Sequence, residues 1–269
     1  GHACVVGTSP RFDRFVARPR VARLASGPFR SRPVQYRLMA KPTILLGMSG
    51  GVDSSVAAAL LVREGYDVRG VTLQVWEHED EHVAASKKWQ ERGCCKIGIA
   101  KFVAQRLKIP YEVVDQRRLF REAVINDFVQ SYAQGTTPNP CVRCNERVKL
   151  RSLIELADER GIQYVATGHY VRVRECGGAS VLRRSLDEKK DQSYFLYRIN
   201  SGWLPRLRFP VGGMLKSEVW AEAEALGLPV EELKESQEIC FVSHGDYRTF
   251  IETEMPSAKT PGAFIDSEG

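Results

Sequence analysis

The amino-acid sequence predicts an α/β fold, a doubly wound parallel sheet with helices on both faces. One observation is that short apolar runs alternate along the chain with longer amphipathic stretches. A second is that the first apolar run ends in a loop rich in Gly and Ser, after which a helical pattern starts. In a parallel sheet such loops lie at the carboxyl ends of the strands, where ligands bind. The sequence therefore predicts both the layered architecture and the edge of the sheet that carries a site.

The predicted elements follow one another as strand, helix and strand. Residues 43–48 form a short apolar run that ends in Gly and Ser, which predicts the first strand. Residues 53–64 carry apolar side chains on one face, which predicts the first helix. The remaining elements are predicted as strands at 68–75, 111–114 and 164–167 and as helices at 97–107, 119–132, 145–160 and 216–226. The polar run 77–90 predicts an exposed loop or helix.

The chain is predicted to consist of three segments. Residues 1–40 hold eight Arg and a single acidic residue, and we expect this leader to be disordered. Its composition is typical of a transit peptide for a mitochondrion or plastid, but Met39 is a natural start, and we favour upstream translated sequence. Residues 41–242 are predicted to form the α/β domain. Residues 243–269, with a strand at 260–266, are expected to be the start of a truncated β-rich second domain.

Composition excludes a protein with a membrane-spanning helix and gives no support for an RNA-binding protein. The net charge is +6, but the leader alone carries +7, so the rest of the chain carries −1 and its charge is no evidence for RNA binding. No apolar run approaches the roughly 20 residues that a bilayer requires, which excludes a spanning helix. Seven Cys, an odd number in a chain too long to need disulfide stapling, favour a reducing compartment such as the cytoplasm.

Residues 49–55 predict a phosphate-binding loop. Gly50 and Gly51 allow the backbone to approach a ligand, and the Ser hydroxyls add hydrogen-bond donors. The helix that follows offers its N-terminal N–H groups to an anion. Because the segment lacks the Lys of a Walker A motif, it favours a pyrophosphate ligand over the γ-phosphate of a kinase or GTPase. The alternative is an ordinary strand-to-helix turn capped by Asp53.

A second motif lies at residues 137–145 and contains Cys141 and Cys144, which have the spacing of metal ligands. Two prolines stiffen the approach, and Asn145 is predicted to cap the helix that begins there. Cys144 then lies at a helix N-terminus, where oriented N–H groups and two neighbouring Arg side chains lower the pKa of a thiol. This predicts a thiolate nucleophile. The alternative is half of a zinc or iron–sulfur site, although no second pair with this spacing occurs.

Three further segments contain candidate residues. Cys240 has apolar neighbours, which fits either a core residue or a partner for the Cys pair. Gly168 follows a predicted strand, where backbone can contact a nucleotide, and His169 beside it is either an acid/base or a structural hydrogen-bond partner. Residues 190–196 combine a cation, side chains that hydrogen-bond to base edges, and aromatics, which fits RNA contact or a solvated turn.

Residues 49–55 resemble the PP-loop of the ATP pyrophosphatases. With the Thr-Pro-Asn-Pro stretch, the Cys-Asn pair and Cys240, residues 41–269 are similar to the family of tRNA-specific 2-thiouridylases. The resemblance implies an enzyme whose catalytic domain is adenine nucleotide alpha hydrolase-like and therefore Rossmann-like. It assigns the ATP site to Gly47, Met48, Ser49, Gly50, Gly51, Val52, Asp53, Ser54, Leu73 and Gly168. It assigns contacts with the target base to Asn139, Pro140 and Cys141 and contacts with tRNA to Lys190, Asp191 and Gln192.

The resemblance also implies a two-stage reaction. ATP with Mg²⁺ would adenylate O2 of the wobble uracil, which must leave the anticodon stack to reach the pocket. Cys240 would carry a persulfide and Cys144 would be the nucleophile that resolves it, giving a Cys144–Cys240 disulfide. The implied partners are tRNA and an upstream persulfide-carrying donor protein, with no membrane. Many family members have Asp where this chain has Cys141, so the resemblance transfers no acid/base role to that position.

Three alternatives stay open at the level of sequence. A different PP-loop ligase, similar to GMP synthetase, would need an ammonia source and neither Cys144 nor Cys240. An iron–sulfur-dependent tRNA sulfurtransferase would use Cys141, Cys144 and Cys240 as cluster ligands. A nucleotide-sensing or tRNA-binding module would bind ATP without turning it over.

Overall fold

The structure of the protein is a computed structural model that describes residues 42–76, 96–228, 239–242 and 246–259. The leader, the polar run 77–90 and the strand predicted at 260–266 lie outside these residues. Cys4, Cys94 and Cys95 do so as well. The predictions made for those segments therefore stay predictions.

The described strands build a parallel sheet and a separate hairpin. The strands are β1 (Thr43–Gly47), β2 (Asp67–Gln74), β3 (Tyr111–Asp115), β4 (Tyr164–Thr167), β5 (Val171–Cys176), β6 (Ala179–Arg184) and β7 (Leu207–Arg208). The sheet has the order β3-β2-β1-β4-β7, and all its pairings are parallel. β5 and β6 pair antiparallel across a turn at Gly177 and Gly178, both of which have positive φ. The sequence analysis did not predict this hairpin.

The described helices are α1 (Val52–Arg63), α2 (Ile97–Leu107), α3 (Arg117–Phe120), α4 (Asn126–Ala133), α5 (Pro140–Cys144), α6 (Leu150–Glu159), α7 (Lys216–Ala225) and α8 (Tyr247–Glu254). Single π-helical turns at Arg121–Ile125 and Asn145–Lys149 join α3 to α4 and α5 to α6. The chain therefore has two longer helical runs, each with a wide turn near its middle. Shorter 3₁₀ turns occur at Glu188–Lys190, Ser193–Leu196, Ser201–Arg206, Pro210–Gly213 and Pro256–Ala258.

Two apolar cores lie on opposite faces of the sheet. On β1 the buried side chains of Ile44 and Leu46 belong to one core and Leu45 to the other, as the alternation of a strand requires. Helices α1, α2 and α7 contribute to the core that contains Ile44. Helices α4, α6 and α8 contribute to the core that contains Leu45. Helices on both faces of a parallel sheet confirm the predicted doubly wound α/β fold.

The segment after residue 242 contains helix where it is described. Phe250 on α8 lies 5.1 Å from Phe241, centroid to centroid, and Tyr247 stacks on Tyr132 at 4.8 Å. Ile251 is buried in the same core. Residues 246–259 therefore pack on the α/β core, while a separate β-rich domain starting at 243 stays a prediction.

None of the helices in the described residues combines the length and the apolar character that crossing a membrane demands.

Candidate functional site

The loop after β1 is held by backbone hydrogen bonds from two sides. Met48 N–H donates to the carbonyl of Val71 on β2 at 2.8 Å, and Lys96 N–H donates to the carbonyl of Ser49 at 2.7 Å. Gly50 has a φ of 77°, and a Cβ there would lie 2.0 Å from the carbonyl oxygen of Lys96. Only glycine fits this position without displacing the start of α2. The conformation of the loop is therefore fixed by contacts within the protein.

The opening of α1 has no side-chain cap. Gly51 is the N-cap residue, so no side chain covers the N–H groups of the first turn. The hydroxyls of Ser54 and Ser55 donate to the carbonyl of Gly51 at 3.0 and 2.9 Å, and the Ser49 and Ser54 hydroxyls are 3.2 Å apart. Uncapped amides at a helix N-terminus bind anions. The alternative of a turn capped by Asp53 is wrong, because Asp53 lies two residues inside the helix.

Asp53 instead forms an ion pair that the sequence analysis missed. Lys216 Nζ lies 2.6 Å from Asp53 Oδ1, and the hydroxyl of Tyr170 donates to the same oxygen at 3.0 Å. Lys216 is only 9% exposed, and its ammonium lies over the rings of Tyr170 and Trp220 at 5.4 and 5.3 Å. The signal in the sequence was a Lys at the first position of a helix that directly follows a Gly-Gly turn. Sequence reasoning treated it as an ordinary helix start.

Leu73 and Gly168 lie at the same edge of the sheet as the loop. Gly47 pairs with Val71 and Thr167, so Leu73 on β2 and Gly168 after β4 both extend beyond the last residue of β1. A Cβ on Gly168 would lie 2.6 Å from the backbone nitrogen of Ser54. This glycine therefore permits β4 to meet the start of α1. The predicted ATP-site residues are brought together at the carboxyl ends of β1, β2 and β4.

His169 is a neutral hydrogen-bond partner. Its Nδ1 is 2.7 Å from the hydroxyl of Thr167. Burial, and to a lesser extent the positive charge of Lys149, lower the pKa of His169 to about 3. A ring with this pKa is neutral at pH 7, so it does not serve as an imidazolium acid. Of the two interpretations of His169, the structure favours the structural one.

The cysteine helix, residues 140–159, begins earlier than the sequence predicted. Asn139 is its N-cap, with its side-chain oxygen accepting a hydrogen bond from Val142 N–H at 3.2 Å, and Pro140 occupies the first position. The prediction that Asn145 caps this helix is wrong, because Asn139 followed by Pro140 supplies the start six residues upstream. Cys141, not Cys144, lies in the first turn. The predicted effect of a helix N-terminus on the Cys144 thiol is therefore wrong.

The surroundings of the cysteines differ. Cys141 is exposed, whereas Cys144 is 6% exposed and belongs to the core that contains Leu45. Cys240 is partly buried and packs against the same core. Arg143, predicted to act on the Cys144 thiol, lies 3.4 Å from Asp127 and 3.6 Å from Glu146. Its charge is thus shared with two carboxylates.

The cysteine helix begins near the edge of the sheet that carries the loop. A Cβ on Gly47, the last residue of β1, would lie 2.9 Å from Leu153 Cδ1, so Leu153 packs at the carboxyl end of that strand. The helix then runs on to Tyr164, which begins β4 at the opposite edge. Cys144 precedes Leu153 by nine residues, which corresponds to roughly 13 Å along a helix axis. This direction of the helix carries Cys144 past the carboxyl end of β1, on the face of the sheet opposite to α1.

The three residues predicted to contact tRNA lie in one turn. Asp191 accepts hydrogen bonds from Ser185 N–H at 2.9 Å and from the Ser193 hydroxyl at 2.6 Å, and its pKa is lowered because these bonds outweigh desolvation, the largest opposing effect. Gln192 pairs with the backbone of Tyr170 through its side-chain oxygen and its own N–H, both at 2.9 Å. Both side chains thus order the turn that presents Lys190. Their contact with RNA stays a prediction.

The donor set fits an anionic nucleotide and does not fit a cluster. Within the described ranges, no group of three or more His, Cys, Asp or Glu side chains is placed to hold a metal ion. Cys141, Cys144 and Cys240 do not form such a group, so no step is derived through an iron–sulfur cluster. The uncapped amides of α1 and the cradle at Gly50 suit the phosphates of ATP.

Comparison with known proteins yields close relatives in sequence. The chain is 45% identical over 230 residues to a protein of Magnetococcus marinus, covering 84% of this chain and 63% of that one. It is 47% identical to a protein of Sorangium cellulosum, covering 84% and 58%, and 42% identical to one of Acetivibrio thermocellus, covering 86% and 65%. All three are named tRNA-specific 2-thiouridylase MnmA. The chain spans less than two thirds of the length of these relatives.

Similarity to solved structures is weaker. The NMN synthetase of Francisella tularensis matches with a TM-score of 0.42 and 19% identity, covering 81% of this chain and 73% of that one. A 4-thiouridine synthetase in complex with RNA and ATP matches with a TM-score of 0.41 and 14% identity, covering 81% and 51%. The decisive match is to a family model. The model of the tRNA methyl transferase HUP domain covers residues 42–244, and the chain belongs to that family.

Proposed function

We propose that the protein is a tRNA-uridine 2-sulfurtransferase that uses ATP to replace O2 of the wobble uridine with sulfur. The observation that carries the proposal is the loop after β1, whose glycine cradle and uncapped helix amides suit phosphates. The direction of the cysteine helix supports a position for Cys144 beyond the same edge of the sheet. A phosphate cradle supplies activation and a thiol supplies sulfur chemistry. The names of the relatives supply the substrate class.

In the first stage the loop holds the triphosphate of ATP. The first-turn amides of α1 face the phosphates, and residues 47–54 with Leu73 and Gly168 bound the site. Uracil O2 attacks the α-phosphorus and pyrophosphate leaves, which turns a poor leaving oxygen into AMP. The amides stabilise the charge that develops. Mg²⁺ accompanies the phosphates, and Lys216 fixes Asp53 at the edge of this site.

In the second stage sulfur enters at C2. The terminal sulfur of a persulfide on Cys240 attacks C2, and AMP leaves with the former O2. Cys144 then attacks the Cys240 sulfur, which breaks the persulfide bond, leaves the second sulfur on C2 and forms a Cys144–Cys240 disulfide. A thiol reductant restores both cysteines. The persulfide reaches Cys240 from a donor protein.

Thiolation of tRNA tests the proposal. The protein is incubated with tRNA, ATP, Mg²⁺, a persulfide donor and a thiol reductant, and nucleosides are then separated and weighed by mass spectrometry. We expect 2-thiouridine with the wild type and none above background with Cys144→Ser or Cys240→Ser. Cys176→Ser is the matched control, because Cys176 lies on the β5–β6 hairpin and is expected to be without effect. Full activity of Cys144→Ser would overturn its assigned role.

A further inference from the structure

Two tyrosines stand out from the surface beside the cysteine helix. Tyr194 and Tyr197 are 61% and 62% exposed, the highest values among the large apolar and aromatic side chains of the described residues. Their ring centroids are 5.8 Å apart and their planes are inclined by 33°. Tyr194 also meets Phe195 edge to face at 5.6 Å. Large aromatic side chains that are this exposed and lie side by side indicate a surface that binds a partner.

The turn that carries these rings is fixed to the cysteine helix. Asn145, which directly follows Cys144, is buried and donates through Nδ2 to the carbonyl of Phe195 at 3.4 Å. Arg198 forms two hydrogen bonds to Glu146, at 2.9 and 3.3 Å, and these raise the pKa of its guanidinium. Leu196 is buried in the core that contains Cys144. The exposed rings therefore keep a set position relative to Cys144.

The charge of this region differs from that of the rest of the α/β domain. Residues 171–198, which include the hairpin and the tyrosine turn, hold seven Arg or Lys and four Asp or Glu. Residues 41–269 as a whole carry a net charge of −1. The segment that carries the two tyrosines therefore has a net charge of +3. A polyanion with aromatic groups is the partner that complements such a surface.

We propose that Tyr194 and Tyr197 form a platform on which unpaired nucleobases of the RNA substrate stack. The proposal rests on the proposed function, since it takes RNA as the substrate. Aromatic side chains stack on bases without regard to sequence, and the flanking cations attract the phosphates. The turn is hydrogen-bonded to the residues that follow Cys144. A base stacked on the tyrosines therefore holds the next nucleotide of the RNA near that cysteine. The platform thus positions the extruded uridine.

Binding of RNA to tyrosine variants tests the platform. The probes are a fluorescent RNA hairpin with a single-stranded loop and a blunt RNA duplex of equal charge, and fluorescence anisotropy reports the Kd. We expect Tyr194→Ala/Tyr197→Ala to weaken binding of the hairpin roughly ten-fold or more and to leave binding of the duplex unchanged. Tyr194→Phe/Tyr197→Phe retains the rings and is expected to bind as the wild type does. Leu215→Ala is the matched control, an exposed apolar residue outside the turn.

The outcomes separate the platform from the proposed function. Equal binding of the hairpin by the wild type and the double Ala variant would overturn the platform and leave the thiolation assay to judge the function. Failure of the wild type to bind either RNA would contradict both. An equal loss for hairpin and duplex would overturn stacking, because a duplex offers no unpaired base. Sedimentation velocity tests whether the tyrosines instead join copies of the chain. If the wild type were a dimer, the double Ala variant a monomer and the RNA affinity unchanged, the surface would be a contact between copies, and the platform would be overturned.

Discussion

Lys216 is nine-tenths buried, and its ammonium is held between one carboxylate and two aromatic rings. Lys216→Met removes one partner of this pair and leaves Asp53 without its counter-charge. We expect the free energy of unfolding to fall by about 2 kcal/mol, less than for a fully buried pair because Asp53 is one third exposed. Urea denaturation measures the change. We also expect weaker binding of ATP, because Asp53 is in the first turn of α1.

An exposed ion pair provides the control for that substitution. Lys259 lies 3.0 Å from Glu252, and both side chains are well exposed. Lys259→Met should change stability little, because solvent screens such pairs. The double variant Asp53→Asn/Lys216→Met should be more stable than Lys216→Met alone. Equal stability of Lys216→Met and the wild type would show that the buried pair contributes nothing.

His169 gives the protein a specific dependence on pH. Its pKa is about 3 in the folded protein, against 6.5 for an unperturbed His, so the unfolded chain binds a proton that the folded chain does not. Stability should therefore fall as the pH drops from about 6.5 toward 3. Between pH 7.5 and 5, we expect His169 to account for about 1 to 2 kcal/mol of this loss.

His169→Asn isolates that contribution. Asn cannot titrate but can still hydrogen-bond to Thr167, so the variant should lose less stability than the wild type between pH 7.5 and 5. Urea midpoints at the two values of pH give the comparison. Identical losses in the two proteins would mean that His169 is already protonated in the folded state or titrates normally.

At the scale of single elements, the contact between β4 and α1 depends on Gly168. A Cβ there would overlap the backbone of Asp53 and Ser54, which cannot move without shifting the first turn of α1. We expect Gly168→Ala to destabilise the protein by about 1–3 kcal/mol and to weaken ATP binding measured by titration calorimetry. At Gly213 a Cβ would meet nothing within 4 Å, so Gly213→Ala should be tolerated. Tight ATP binding by Gly168→Ala would contradict the placement of the loop.

Asn139 starts the cysteine helix and is also a predicted contact of the target base. Asn139→Ala removes the cap and should lower the free energy of unfolding by about 1 kcal/mol. Asn139→Asp keeps an oxygen that can cap and should preserve stability. If Asn139 also contacts RNA, the Asp variant should bind tRNA more weakly despite its stability. Thermal melting and anisotropy separate the two roles.

Several elements could be predicted from the sequence because local pattern alone specifies them. The helix Ile97–Leu107 and the strand Tyr164–Thr167 have the predicted bounds, since each is a regular apolar pattern between clear breakers. The start of the cysteine helix was misplaced because two capping candidates, Asn139 and Asn145, compete. The hairpin was missed although Gly177 and Gly178 mark its turn. The pairing of Lys216 with Asp53 joins residues 163 positions apart, and no local pattern encodes it.

At the scale of the whole molecule, the proposed reaction depends on residues at one edge of the sheet. The loop and Gly168 lie at the ends of β1 and β4. The cysteine helix packs against Gly47 on the other face of the sheet. Because parallel strands end at the same edge, distant segments of the chain meet there. Activation and sulfur transfer are thus proposed to share one site.

The fate of the uracil oxygen tests this account most directly. The tRNA substrate carries ¹⁸O at O2 of the wobble uridine and is thiolated by the protein with ATP and a persulfide donor. Mass spectrometry of the nucleotides then locates the label. The account predicts one ¹⁸O in AMP for each 2-thiouridine formed, with pyrophosphate as the other product. Label in water, or ADP and phosphate as the products, would contradict activation of O2 by adenylation.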